Sequence, residues 1–231
     1  MKNFAKEFAS DLVNLFFPLQ CLGCNSPLTP HEKDICVHCQ LQLPFTYFHL
    51  DGNNPMVQKL NTLLKIEAAT ALCYFEKNSI LERMLYQLKY SGQQQLGAYF
   101  GSLMGELLKH IKDFQNVQAV IPVPLHSKRK RERGYNQATL FGGVIAQHLG
   151  VPFVEGFLLR TRNTKQLAKT KDDRNAVLKN AFELNLKKNN PKHWLLVDDV
   201  ITTGATLDAC GRLLLKNPGN QLSIATIGYR I

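Results

Sequence analysis

Short apolar runs alternate along this chain with stretches in which apolar residues recur every third or fourth position. The runs at residues 67–75, 117–123, 152–159, 181–184, 194–197 and 223–229 are bounded by Pro, Gly or polar residues, and each predicts a strand. Between the first two, Leu81, Met84, Leu85 and Leu88 share one helical face. Ser79 stands where a cap is needed, Glu82 completes a capping box, and Gly92 can end the helix. A second helix over 94–111 presents Leu96, Phe100, Leu103 and Leu107, a third runs through Leu140, Val144 and Leu149, and a fourth covers 205–215. Strands alternating with helices predict an α/β fold, a parallel sheet flanked by helices on both faces.

At the N-terminus Phe4, Phe8, Leu12, Leu15 and Phe16 fall near helical spacing and predict a short amphipathic helix. Glu7 and Asp11 interrupt it, and no small-residue cleavage site follows, so it does not read as a signal peptide. No stretch is apolar for long enough to cross a membrane, and the chain is not expected to be integral to one.

Composition narrows the class. With 231 residues, 45% hydrophobic and 20% charged, the chain reads as an ordinary globular protein, large enough for one sizeable domain plus an appendage. The net charge of +10 changes the picture, because it points to phosphate-rich partners such as nucleic acid or a phosphorylated metabolite. Four of the six cysteines form two C-x-x-C pairs, Cys21 with Cys24 and Cys36 with Cys39. Two residues between thiolates let both sulfurs reach one ion, and four thiolates suit a tetrahedral structural Zn2+. His31 and His38 are spare ligands. Metal-type cysteine usage places the chain in the cytoplasm. Cys73 and Cys210 lie among apolar neighbours and read as buried small hydrophobes.

The run from Leu195 to Thr206 carries the most chemistry. An apolar strand ends in Asp198 and Asp199, a short loop follows through Val200, Ile201, Thr202, Thr203 and Gly204, and a helix starts near Ala205 and Thr206. Free N–H groups and the helix dipole favour an anion there, and Gly204 lets the backbone approach closely. The acids cannot bind that anion and must meet hydroxyls or a cation such as Mg2+. A sugar phosphate satisfies both halves. A second feature is the basic run Lys128, Arg129, Lys130, Arg131, Arg133, which suits pyrophosphate, a nucleic-acid backbone, or both. Tyr135 beside it offers a stacking face for a base.

Residues 197–206 resemble the signature of type I phosphoribosyltransferases. Lys89-Tyr90-Ser91-Gly92, Pro122-Val123-Pro124-Leu125-His126, Arg133-Gly134-Tyr135-Asn136-Gln137 and Gln166 through Arg174-Asn175, with the double C-x-x-C, resemble the ComF family, which includes the late competence protein ComFC and the GntX-like proteins. The resemblance implies a type I phosphoribosyltransferase-like α/β domain at 51–231, with a hood at about 60–112 and a core at 116–231, behind an N-terminal helix and four-cysteine zinc module at 1–50. It implies that Asp198 and Asp199 bind the ribose hydroxyls of phosphoribosyl pyrophosphate, with Mg2+, and that Ile201, Thr202, Thr203, Gly204, Ala205 and Thr206 hold its 5′-phosphate. Val123, Pro124, Leu125 and His126 would form the pyrophosphate loop, aided by Arg129 and Arg133. Lys89 and Arg174 join the two acids as catalytic residues, and a basic lid at 160–175 would close over the site. The family also implies single-stranded DNA and DNA-uptake proteins as partners. Three readings stay open: a phosphoribosyltransferase with an unidentified acceptor acting in DNA uptake, a non-catalytic single-stranded-DNA-binding competence protein, and a phosphoribosyltransferase of nucleotide metabolism.

Overall fold

The computed structural model describes residues 18–161, 181–185 and 191–231. The chain divides into two compact units, residues 1–43 and 44–231. The expected N-terminal helix and the lid segment beyond residue 161 lie outside the described residues. Among the described residues no helix is long and apolar enough to cross a membrane.

Among its described residues the first unit is built on two turns and one short helix. Gln20 and Pro27 pair across the first turn, with Asn25 in the left-handed region at φ 61°. Helix α1, Val37–Leu41, starts at Cys36. The Glu32 carboxylate accepts from the Val37 N–H at 2.7 Å and the Thr29 N–H at 2.8 Å, so one side chain ties the loop to the start of the helix.

In the second unit, strands β1 (Ala68–Tyr74), β2 (Ala119–Pro122), β5 (His193–Ile201) and β6 (Gln221–Tyr229) form one sheet in the order β1-β6-β5-β2. All pairs are parallel. The strands are buried along nearly their whole length, as a sheet covered on both faces requires. Helix α2 (Pro55–Asn61) and helix α7 (Ala205–Leu214) put Met56, Leu60, Leu207 and Leu214 into one core layer with Ala69, Ile121, Trp194, Leu196 and Ile224. Alternate strand residues face the other way, towards helix α3 (Ile80–Tyr90) and helix α6 (Gln137–Leu149). The predicted parallel sheet with helices on both faces is therefore what forms.

Several boundaries differ from expectation. The run at 152–159 is not one strand. Phe153 pairs in parallel beside Val120 at the sheet edge, a turn at Glu155-Gly156 intervenes, and β3 (Leu158–Arg160) then pairs antiparallel with β4 (Phe182–Leu184) as a separate ribbon. Arg160, expected to open the lid, is thus a strand residue. The central strand β5 does not stop before the acids but carries both of them inside its span. The basic loop is a helix, α5 (Ser127–Arg133), because the His126 side chain accepts from the Lys128 N–H and Gly134, at φ 80°, supplies the left-handed stop.

The buried faces of two helices also differ from the leucine spacing. Helix α4 (Gln95–Lys109) buries Leu96, Phe100, Met104 and Leu108 together with Gly97, Gly101 and Gly105, whereas Leu103 and Leu107 line an apolar cavity. Helix α6 buries Ala138, Phe141, Gly142, Ile145 and Ala146, not Leu140, Val144 and Leu149. The reason is close approach. A Cβ on Gly101 would stand 2.7 Å from the Phe141 carbonyl oxygen, so the two helices pack backbone to backbone along the glycine stripe.

Candidate functional site

The carboxyl ends of β2 and β5 lie side by side, where open α/β sheets bind their ligands. After β2, the Val123 N–H donates to the Val197 carbonyl at 2.9 Å, which fixes the start of the next loop to β5. Asn136 fixes the rest. Its buried side chain donates to the Val123 carbonyl at 3.0 Å and also accepts from the Ala138 N–H as the cap of α6. Sequence reasoning placed Asn136 in a motif but gave it no structural task.

Asp198 and Asp199 sit at the centre. The Asp199 N–H donates to Asp198 Oδ1 at 2.8 Å, and Lys89 Nζ, from the last turn of α3, lies 2.6 Å from Asp199 Oδ2. Burial pushes the Asp198 carboxyl up to about 7, the neighbouring Asp199 adds to the rise, and the Asp199 N–H and Lys89 oppose it. A cavity of about 200 Å3 opens here. It brings together Lys89, Asp198, Asp199, Arg129, Arg133 and Thr206 with Val123, Pro124 and Leu125, and Arg160 completes its wall. Residues far apart in sequence thus meet at one place.

Next to it the loop after β5 encloses a smaller cavity of about 30 Å3, lined by Ile201, Thr202, Thr203, Gly204, Ala205, Thr206, Asp198 and Val200. Gly204, at φ 80°, occupies the cap position of α7 and offers no side-chain cap; the Ala205 N–H makes a long bond to Thr203 Oγ1 at 3.4 Å, and the helix N-terminus faces the cradle as a place for an anion. Asp198, Val200 and Thr206 border both cavities, so the small cradle and the larger pocket lie side by side and share a wall.

Lys59 is a residue that sequence reasoning missed. Its Nζ donates to the carbonyls of Thr202 at 3.1 Å and Arg230 at 3.3 Å, and it stands 4.6 Å from the centre of the Tyr229 ring. It therefore holds the cradle loop by a backbone carbonyl and turns that carbonyl away from any anion. No sequence motif marks such a lysine, because its partners are main-chain atoms over a hundred positions away.

The remaining expected residues divide. Arg129 and Arg133 face the larger pocket, whereas Lys128, Lys130 and Arg131 are exposed on α5 and Lys130 lies 3.8 Å from Glu155. Arg133 donates to Gln137 at 2.9 Å and to the Tyr90 hydroxyl at 3.1 Å. His126 caps α5 and does not line the pocket. Tyr135 is half-buried and its hydroxyl donates to the Leu88 carbonyl, so it ties α3 to the α5–α6 turn. Arg174 lies outside the described residues.

In the first unit, the sulfurs of Cys21, Cys24, Cys36 and Cys39 all lie within 4.8 Å of one another and are arranged so that they could hold a metal ion. A tetrahedral zinc with Zn–S bonds of about 2.3 Å needs its sulfurs about 3.8 Å apart. Cys24 and Cys36 are at 3.7 Å. The N–H groups of Gly23 and Cys36 point at Cys21 Sγ from 3.3 and 3.2 Å, as thiolate ligands require. The residues present fit the ion. His31 and His38 are not part of this cluster.

No family model matches the chain. Among curated proteins, Competence protein F of Haemophilus influenzae is 32% identical over 215 residues, covering 87% of this chain and 93% of that one. DNA utilization protein YhgH of Escherichia coli is 29% identical over 224 residues, covering 88% and 93%. Competence protein ComFC of Bacillus subtilis is 28% identical over 208 residues, covering 89% and 81%. Among solved structures, an adenine phosphoribosyltransferase of Leishmania tarentolae superposes with a TM-score of 0.38 at 14% identity, over 61% of this chain and 73% of that one, a likeness too slight to build on.

The Asp198 carboxyl sets a pH dependence. Its folded-state value, about 7, lies above its ordinary value of 3.8, so the folded protein binds the extra proton and loses stability as pH rises from about 4 through 7. Asp198→Asn removes that loss. In chemical denaturation the variant should match wild type near pH 4 and exceed it by roughly 2–4 kcal/mol at pH 8, since each tenfold change in proton affinity is worth about 1.4 kcal/mol. A stability difference that does not change with pH would show that Asp198 ionises normally.

Proposed function

The chain belongs to the ComF family of competence and DNA-utilization proteins, and from that premise we propose that it binds phosphoribosyl pyrophosphate with Mg2+ between β2 and β5 and handles single-stranded DNA during uptake. The observation that carries the first half is that two unlike cavities lie side by side and share Asp198 in their walls. One presents the N-terminus of α7 and suits a phosphate; the other presents two carboxylates and several cations and suits a hydroxylated ring with a pyrophosphate.

In this reading Asp198 and Asp199 accept from the ribose hydroxyls, and Thr202, Thr203, Gly204, Ala205 and Thr206 donate to the 5′-phosphate. Val123, Pro124 and Leu125 pass along the pyrophosphate, with Arg129 and Arg133 neutralising it. Lys89 holds Asp199 while the pocket is empty of donor, and is freed towards the pyrophosphate when the hydroxyls take over that carboxylate. Mg2+ supplies further charge neutralisation on the leaving group. Loss of pyrophosphate gives C1 of the ribose oxocarbenium character, so what the protein must provide is charge stabilisation and water exclusion, with no protein nucleophile. The acceptor, if the donor turns over, is set by residues outside this constellation.

Isothermal titration with phosphoribosyl pyrophosphate is expected to show binding that needs Mg2+, weakened at least tenfold by Asp198→Asn combined with Asp199→Asn, in line with the removal of two charged hydrogen-bond partners. Absence of binding to wild type would sink the donor reading.

The DNA half is supported by the exposed cations Lys128, Lys130 and Arg131 on α5 and by the net charge of +10. Affinity for a single-stranded oligonucleotide should fall steeply with salt. The slope should flatten when these three residues are neutralised, by about 0.7 for each phosphate that is no longer paired with a cation. A salt-independent signal would count against it.

The cysteine cluster is assigned a structural Zn2+, since a unit this small has little core to fold on. Metal analysis should find one zinc per chain, absent from Cys24→Ser with Cys36→Ser. A metal-free wild type that keeps its fold would refute the assignment.

A further inference from the structure

Tyr86 and Tyr90 are each 61% exposed, although large aromatic side chains usually bury most of their surface. Helix α3 buries Ile80, Leu81, Met84, Leu85 and Leu88 on its inner face, which leaves these two rings one turn apart on the outer one. Their centroids are 4.9 Å apart at an interplanar angle of 44°. The Arg133 guanidinium stands 5.0 Å from the Tyr90 ring centre and donates to its hydroxyl, so the ring is held in place from the pocket side. Arg133 also lines the acid pocket, and Lys89, the residue before Tyr90, pairs with Asp199 in it. An aromatic tier therefore starts at the rim of the pocket and leads outward, and the same arginine joins it to the basic helix α5.

We propose that Tyr86 and Tyr90 form a stacking platform for the bases of a single DNA strand, with Arg133 linking that platform to the phosphate-binding cations of α5. The proposal rests on the DNA-handling reading of the protein and gives it a place on the surface. Every base offers a π-face, so such a platform binds without regard to sequence, and an immobilised ring loses little entropy on binding. A guanidinium plane serves as a further stacking surface. Tyr135, nearer in sequence to the basic run, is half-buried and exposes less of its ring than Tyr86 or Tyr90. The platform also brings a base to the mouth of the pocket, where an acceptor for the ribose would have to stand.

Fluorescence anisotropy with a labelled oligothymidine and an abasic strand of equal length separates base stacking from phosphate attraction. Both titrations are run without Mg2+ or phosphoribosyl pyrophosphate, so the donor reading does not enter. Wild type should bind oligothymidine about tenfold more tightly than the abasic strand. Tyr86→Ala with Tyr90→Ala should lose that preference, keep its affinity for the abasic strand and keep the salt slope. Tyr86→Phe with Tyr90→Phe should restore the preference. Tyr86→Ala alone, at an outward position, repeats the test if the double variant unfolds. If the alanine variants bind oligothymidine as wild type does, or if wild type shows no preference for bases, the platform is overturned while the DNA reading stands. If wild type binds neither strand, both fall.

Discussion

Two adjacent carboxylates at the carboxyl end of the central strand are the constraint around which the rest of the molecule is arranged. Burial is the larger cost at Asp198, and repulsion from the neighbouring Asp199 adds to it. Lys89 lies 2.6 Å from Asp199, and Arg129, Arg133 and Arg160 line the same pocket. The raised Asp198 carboxyl marks the cost of holding the two acids together, which hydroxyl donors would relieve. Lys89 can reach the acids only because α3 ends there. The helix is set by Leu88, packed near Gly97 of α4, and by the Tyr135 hydroxyl on the Leu88 carbonyl. Gly101 of α4 in turn meets the main chain of α6 at Phe141. The glycine stripe and the acid pair are thus parts of one mechanical chain.

That chain explains what could be read from the amino-acid order and what could not. Strand and helix positions follow from local apolar runs and caps, so Ser79, Glu82 and the strands at Ala68–Tyr74 and Gln221–Tyr229 lie where their patterns put them. Which face of a helix is buried follows from the partner helix. Leucine spacing pointed to Leu103 and Leu107, but glycine contributes nothing to a hydrophobic count and still decides the packing, because only its small size lets two backbones meet. The same limit hid Lys59 and Asn136. Both act on main-chain carbonyls, Thr202 and Val123, whose identity leaves no mark in a motif.

The basic run shows how a fold sorts residues that composition lumps together. As a loop, its cations would be interchangeable. As the helix Ser127–Arg133, they separate into Arg129 and Arg133 towards the acid pocket and Lys128, Lys130 and Arg131 towards solvent. One short segment can therefore serve a bound pyrophosphate and an outer phosphate chain at once without competition between them. The aromatic residue nearest in sequence, Tyr135, is spent on fixing α3, and the exposed rings come from α3 itself, over forty positions earlier.

The two ends of α3 then have unlike tasks. Its inner face and Leu88 anchor it to the sheet and to α4. Its last turn presents Lys89 inward to Asp199 and Tyr90 outward beneath Arg133. Adjacent residues on a helix diverge by about 100°, so a lysine and a tyrosine side by side must face different neighbours. A displacement of that turn shifts Lys89 against Asp199 and Tyr90 against Arg133 together, whereas the lysine side chain can also leave Asp199 by rotating alone. The acid pocket and the outer rings are for that reason neighbours through a single helical turn and not through the sheet.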